Sequence, residues 1–280
     1  MGSHRTLPTR RPSDIPLGDD TGVVPFVLWS TWRSGTSWLM ERLNKHPAVG
    51  SYGEILRVLP PSVTGWSEWP PGAQDRPFYT AYLRERGLVD SLLGPHTHLF
   101  RYLDYVYAPR RNLRAIGFKL MYDQVRPYPH VLAYLRWRNV RVLHLIRENL
   151  LDLVLSRKAN AFRKRANVWS TEEREFIRPC LNTRTLIAEL TRLEWERRVA
   201  RLATRLSLLP VHEVSYEDLL DSDSRLDPIL AFLGVRRDAG TDLSPTIVKL
   251  APFSHRDGIA NFDEVDQCLQ GTRFHAFLRP

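Results

Sequence analysis

The sequence predicts an α/β protein in three layers, with a central, mostly parallel sheet flanked by helices. Three observations predict it. Short apolar runs without polar alternation, such as "FVLWS" and "VRVLHLI", read as strands buried on both faces. Longer amphipathic stretches separate these runs, and strands that alternate with helices imply crossover units over a parallel sheet. The length of 280 residues, 43% apolar and 25% charged, suits one globular domain.

The elements follow in order. Residues 1–22 read as a flexible polar leader without the apolar core of a secretory signal, and 23–280 as a single domain. Residues 23–31 predict a buried strand and 36–45 a helix. "HPAVGSYGEIL" then predicts a turn, a short strand and a loop. "LPPSV" and "WPPGAQ" mark 57–75 as irregular, and 76–108 read as helical, broken at "GPHTH". The insertion at 57–110 is therefore a candidate acceptor-binding lid. Its Trp66, Trp69, Phe78 and Tyr79 form either an apolar wall for the acceptor or a satellite core. Strands are expected at 115–121, 140–146 and 209–214, with helices at about 127–138, after 146, at 227–235 and near "NFDEVDQCLQ". Between 184 and 206, Leu186, Leu190, Leu193, Val199, Leu202 and Leu206 mark a long amphipathic helix.

Composition bounds the function. A net charge of +9, carried almost wholly by Arg, favours anionic partners, although a compositional bias toward Arg gives the same figure. No RRM, helix-turn-helix or zinc-finger pattern points to nucleic acid. No apolar run approaches the roughly 18–20 residues needed to span a bilayer. Cys180 and Cys268 match no metal spacing and read as buried thiols in a reducing, cytoplasmic compartment. Oligomeric state is not readable.

"FVLWSTWRSGTSWLMERL" carries the first chemistry. A strand, a tight turn and a helix start make an anion site, because the first helical N–H groups lack intrahelical partners and the dipole is positive there. Gly35 allows close backbone approach, Ser34, Thr36 and Ser37 add hydroxyl donors, and Arg33 adds a charged fork. The competing reading is that Ser34 or Thr36 merely caps the helix. The G-x-x-x-x-G-K-[ST] loop is absent, and no acidic Mg²⁺ partner lies nearby, so a site that works without metal is expected. "VRVLHLIRENLLDLVLSRKAN" repeats the arrangement, with Arg147 at a strand end and Ser156 on the next helix. Ligands of open parallel sheets lie outside the carboxyl strand ends, so both loops are expected on one edge, around one ligand with phosphates at two ends.

These residues resemble a family. "WRSGTSW" followed by "LNKHP" is similar to the 5′-phosphosulfate loop of sulfotransferases that use 3′-phosphoadenosine-5′-phosphosulfate (PAPS), and "LIRENLLDLVLS" to their 3′-phosphate motif. "VHEVSYEDLL" and "ILAFLGV" resemble their Tyr-Glu-Asp-Leu and Phe-Leu-Gly segments. "GFKLMYDQ" and "IANFDEVDQCLQGT" look most like the bacterial carbohydrate enzymes related to nodulation-factor sulfotransferases. The resemblance covers about 24–55, 115–160 and 210–275. Arg33 stands where aryl and steroid enzymes carry Lys, and Arg147 to Ser156 is one residue longer than usual, which turns a helix face by about 100°.

The resemblance implies a P-loop-like three-layer fold and transfer of a sulfuryl group to a hydroxyl, or less readily an amine, of a carbohydrate or small molecule. Adenosine 3′,5′-bisphosphate is the implied product, with no metal. Arg33 to Trp38 would hold the 5′ end, Arg147, Ser156 and Arg256 the 3′-phosphate, and Tyr216 the adenine, unless Tyr216 serves core packing instead. Lys119, inside "IGFKLM", points either to an exposed face or into a polar site. Glu54 is the first choice of base, against a cap or surface-charge role, with His130, His96 and His98 behind it. A Mg²⁺-dependent kinase and a non-catalytic polyanion- or nucleic-acid-binding module are the alternatives.

Overall fold

The computed structural model describes residues 22–58, 78–84, 94–162, 177–237, 240–245 and 254–278. Among the described residues, five parallel strands form one sheet in the order β2-β3-β1-β4-β5. They are β1 (Val24–Ser30), β2 (Val49–Tyr52), β3 (Ala115–Met121), β4 (Arg141–Ile146) and β5 (Val211–Ser215). All seven residues of β3 are buried, as a strand covered on both faces must be.

The period of two splits β1 between two cores. Phe26 and Leu28 face α1 (Thr36–Asn44), α7 (Tyr216–Asp221) and α8 (Leu226–Phe232), where they meet Leu39, Leu43, Leu219 and Ile229. Val27 and Trp29 face the other layer, with α3 (Pro95–Tyr107) and α4 (His130–Trp137) supplying Leu99, Tyr102, Leu103 and Tyr134. Sheet contact is close at Gly117, which pairs with Phe26: a Cβ there would lie 2.5 Å from the Phe26 ring. A third cluster joins α5 (Leu150–Phe162), α6 (Thr183–Leu206) and α10 (Phe262–Leu269) through Leu151, Val154, Leu190 and Val265.

Several expectations shift. The break at "GPHTH" is the start of α3, with Gly94 as N-cap and Pro95 in the first turn, where its missing N–H costs nothing. α7 follows β5 without a gap, capped by Ser215, whose Oγ accepts from the N–H of Asp218. On α6, Leu186, Leu190 and Leu193 are buried, but Val199, Leu202 and Leu206 are 43%, 56% and 71% exposed. The inward stripe continues instead through Ala200 and Thr204, which hold the 3.6-residue register from Leu193. Cys180 is exposed and Cys268 half-buried, so neither is the buried thiol expected; Cys180 lies in the extended segment before α6. In the insertion, α2 (Tyr79–Arg84) is described, while 59–77, with Trp66 and Trp69, and 85–93 lie outside the described residues.

Candidate active site at the carboxyl edge of the sheet

Because all strands are parallel, the segments after β1, β2, β3, β4 and β5 emerge on one edge. The β1–α1 loop, Glu54, Gln124, Arg147 and Tyr216 therefore share that edge.

The first loop turns twice through left-handed backbone, at Arg33 (φ 70°) and Gly35 (φ 87°). A left-handed non-glycine residue costs about 1 kcal/mol or more, and such strain collects at ligand sites. Gly35 is the N-cap of α1 and makes no side-chain cap bond, so Ser34 and Thr36 are not capping hydroxyls. Ser34 is fully buried, and its Oγ has no hydrogen-bond partner among the described residues. Among the described residues no N-cap side chain takes the amides that open α1, and uncapped helix starts suit anions. Gly35 is also required from behind, since a Cβ would lie 2.3 Å from the Tyr216 ring.

The second loop comes to the first. Arg33 Nε donates to Ser156 Oγ at 3.1 Å, so the extra residue between Arg147 and Ser156 leaves the hydroxyl on the facing side of α5. Arg147 Nη1 donates to the Arg33 carbonyl at 3.3 Å, and its Nη2 to Asp152 Oδ2 at 2.8 Å. The Arg147 guanidinium lies over the Tyr216 ring, 5.1 Å from its centroid. Tyr216 is buried between Gly35, Trp38 and Arg147, so its ring packs under the loops, which is the core-packing alternative.

Asp152 has a second partner, His255 Nε2, 2.7 Å from Oδ1. Burial pushes the Asp152 carboxyl up, but the bonds from His255 and Arg147 prevail and hold it below its ordinary value. His255 opens α9 (His255–Gly258), whereas the neighbouring Arg256 is 67% exposed and pairs with Asp263 at 3.3 Å. The expected tail segment thus reaches the second loop through the residue before the one singled out.

On the other side, Lys119 is buried and donates from Nζ to Ser37 Oγ at 2.8 Å, which selects the polar-site reading. Its backbone N–H donates to Gly53 O at 3.2 Å, and this fixes Glu54 beside the end of β3. Glu54 Oε2 lies 3.5 Å from Gln124 Nε2 and 3.9 Å from Arg57 Nη1. Arg57 also lies over Trp32, whose indole N–H donates to Asp123 at 2.9 Å. The His96 and His130 rings pack 5.8 Å apart. Tyr79 is buried against Tyr82, Tyr102 and Tyr128 and joins the core that Val27 and Trp29 face, not a separate satellite cluster.

Sequence reasoning missed a buried polar chain. His144 of β4 is fully buried, with Nε2 2.6 Å from Tyr122 Oη and Nδ1 3.0 Å from Glu213 Oε2. Nδ1–H donates to the carboxylate, so Nε2 accepts from the tyrosine. Arg201 Nε closes the chain on Glu213 at 3.0 Å. Burial lowers the His144 pKa, and Glu213 offsets only part of that. Inside "VRVLHLI" the histidine reads as one more strand position. Asp152, an acid in the first turn of α5, was the one cue available for the His255 contact.

A family model described as "Sulfotransferase family" matches residues 25–239, most of the chain. The solved structure of a sulfotransferase from Alicyclobacillus acidocaldarius aligns with a TM-score of 0.45 and 17% identity, over 91% of this chain and 99% of that one. No curated protein matches the sequence at a significant level.

Proposed function

The chain belongs to the sulfotransferase family, and from that membership we propose that it transfers a sulfuryl group from PAPS to a hydroxyl, or less readily an amine, of a carbohydrate or small-molecule acceptor. The observation that carries this reading is the union of the two anion loops: Arg33 bonds Ser156, and Arg147 bonds the Arg33 carbonyl, on one edge of the sheet. A donor with phosphate at both ends of one nucleoside matches that pairing. The left-handed loop, the open amides of α1 and the Ser34 hydroxyl, without a partner among the described residues, fit its 5′ end.

The donor supplies an activated sulfuryl group with a phosphate oxygen as leaving atom. Arg33 and the N–H groups of residues 34–37 would hold that phosphate and meet the charge that grows on it in an in-line displacement. Lys119, fixed on Ser37, adds a buried cation beside the loop. Glu54 takes the acceptor's proton, held in place by Gln124 and Arg57. Arg147 and Ser156 hold the 3′-phosphate. The cationic set makes the transfer metal-independent in this reading. The free cysteines accord with a cytoplasmic setting.

The test is a comparison of thermal shifts with adenosine 3′,5′-bisphosphate, ATP–Mg²⁺ and duplex DNA, followed by turnover in excess EDTA. A ligand at 100 times its Kd stabilises by about 2.7 kcal/mol. The bisphosphate should stabilise the protein, and transfer should persist in EDTA. Stabilisation by ATP–Mg²⁺ alone, with activity restored only by Mg²⁺, would select the kinase. A shift with DNA alone, fading steeply with salt, would select the polyanion-binding module.

A further inference from the structure

The glutamate of the Tyr-Glu-Asp-Leu segment has no role in the reading above, yet it grips the second loop. Glu217 Oε2 accepts the N–H of Glu148 at 3.0 Å, and Oε1 accepts the N–H of Asn149 at 3.2 Å. Ser215 Oγ donates to Oε2 at 3.1 Å and orients the carboxylate. The carbonyls of the same corner, those of Arg147 and Glu148, each accept from Arg197 Nη1 at 3.3 Å. The peptide units that follow Arg147 are therefore held on both their donor and acceptor sides. Tyr216, one residue earlier, lies against Gly35 of the first loop and under the Arg147 guanidinium.

The two loops consequently differ in kind. In the first, the amides opening α1 remain for an anion. In the second, the amides just before α5 are already taken by a fixed carboxylate, which also neutralises the positive end of the helix. With those two amides occupied, an anion at the second loop is met by the Arg147 and Ser156 side chains, and the direction of Arg147 is set by the corner that Glu217 holds. We infer that Glu217 is a positioning residue: it fixes Arg147 and thereby sets the preference for a nucleotide phosphorylated at the 3′ position. This rests on the sulfotransferase reading above.

The experiment measures Kd for adenosine 3′,5′-bisphosphate and for adenosine 5′-monophosphate, by calorimetric titration, in wild type, Arg147→Ala and Glu217→Gln. Glu217→Gln turns one acceptor oxygen into a donor facing an N–H. The wild type should prefer the bisphosphate, Arg147→Ala should abolish the preference, and Glu217→Gln should reduce it about tenfold while leaving the monophosphate affinity within twofold. Ser215→Ala, which removes the orienting hydroxyl together with the cap of α7 but keeps the carboxylate, should shift the preference the same way by a smaller factor; it serves if Glu217→Gln does not fold. A purely structural glutamate would weaken both ligands equally. Equal losses, or a full preference retained in Glu217→Gln (or in Ser215→Ala where that variant stands in), would overturn the inference alone. No preference in the wild type, with a silent Arg147→Ala, would overturn the functional reading and the inference together.

Discussion

Glu54 owes its place to the backbone before it. β2 pairs with β3 as far as Tyr52 and Phe118, and the Lys119 N–H then takes the Gly53 carbonyl, so the next side chain starts at the carboxyl edge of the sheet. Glu54→Gln keeps the shape and the bond to Gln124 but cannot take a proton at neutral pH. We expect kcat to fall by about 10²–10⁴, with bisphosphate affinity within twofold, in steady-state assays paired with titration. Near-wild-type turnover would pass the role to His130, then to His96 and His98. Sequence reading at this scale narrowed Lys119 to two faces, and burial with the bond to Ser37 decided between them. It went least far where a one-residue offset chose between neighbours, as for His255 and Arg256.

The strand–loop–helix unit from β1 to α1 is the element on which the candidate site is built. Its sequence announced it, because an apolar run, a cluster of small hydroxyls and an amphipathic run are all local signals. Its need for glycine comes from two directions, a φ of 87° and a ring 2.3 Å from where a Cβ would stand. Gly35→Ala should therefore lower stability by more than about 1 kcal/mol, a drop in Tm of about 2–4 °C for each kcal/mol in a chain of this size. It should weaken bisphosphate binding in parallel, since Tyr216 must move from under Arg147. A calorimetric scan and one titration check both; an unchanged Tm would show that the loop relaxes freely. α7 was missed as an element because its six residues carry too few turns to show a period.

For the whole molecule, four shifted groups give one direction of pH dependence, and Asp104, whose carboxyl burial pushes up, opposes it only in the carboxylate range. Burial lowers the pKa of His144 and of His212. Asp152 and Glu213 lie below their ordinary values because bonds from His255, Arg147 and Arg201 outweigh burial. In all four, the unfolded chain takes up protons before the native one as pH falls. Stability should hold between pH 8 and 7, decline below about 6.5 as unfolded histidines protonate, and decline again below about 4.5 as unfolded carboxylates do. Urea midpoints at pH 8, 6, 5 and 4 test this; a midpoint constant from pH 8 to 5 would show that His144 does not contribute.

The sequence by itself determined the strand–helix alternation, the two strand-end loops and their common edge, because each rests on neighbours in the chain and on the rule that parallel strands end together. Only the tertiary structure decided the strand order, the bond from Arg33 to Ser156, the His255–Asp152 contact and the grip of Glu217 on the second loop. Those partners stand 123, 103, 69 and 68 positions apart. Spacing within one helix or strand carries no information at such separations. Which distant polar groups meet is set by how the packed apolar faces bring the elements together, and the polar contacts then form wherever burial would otherwise leave a charge or an amide without a partner.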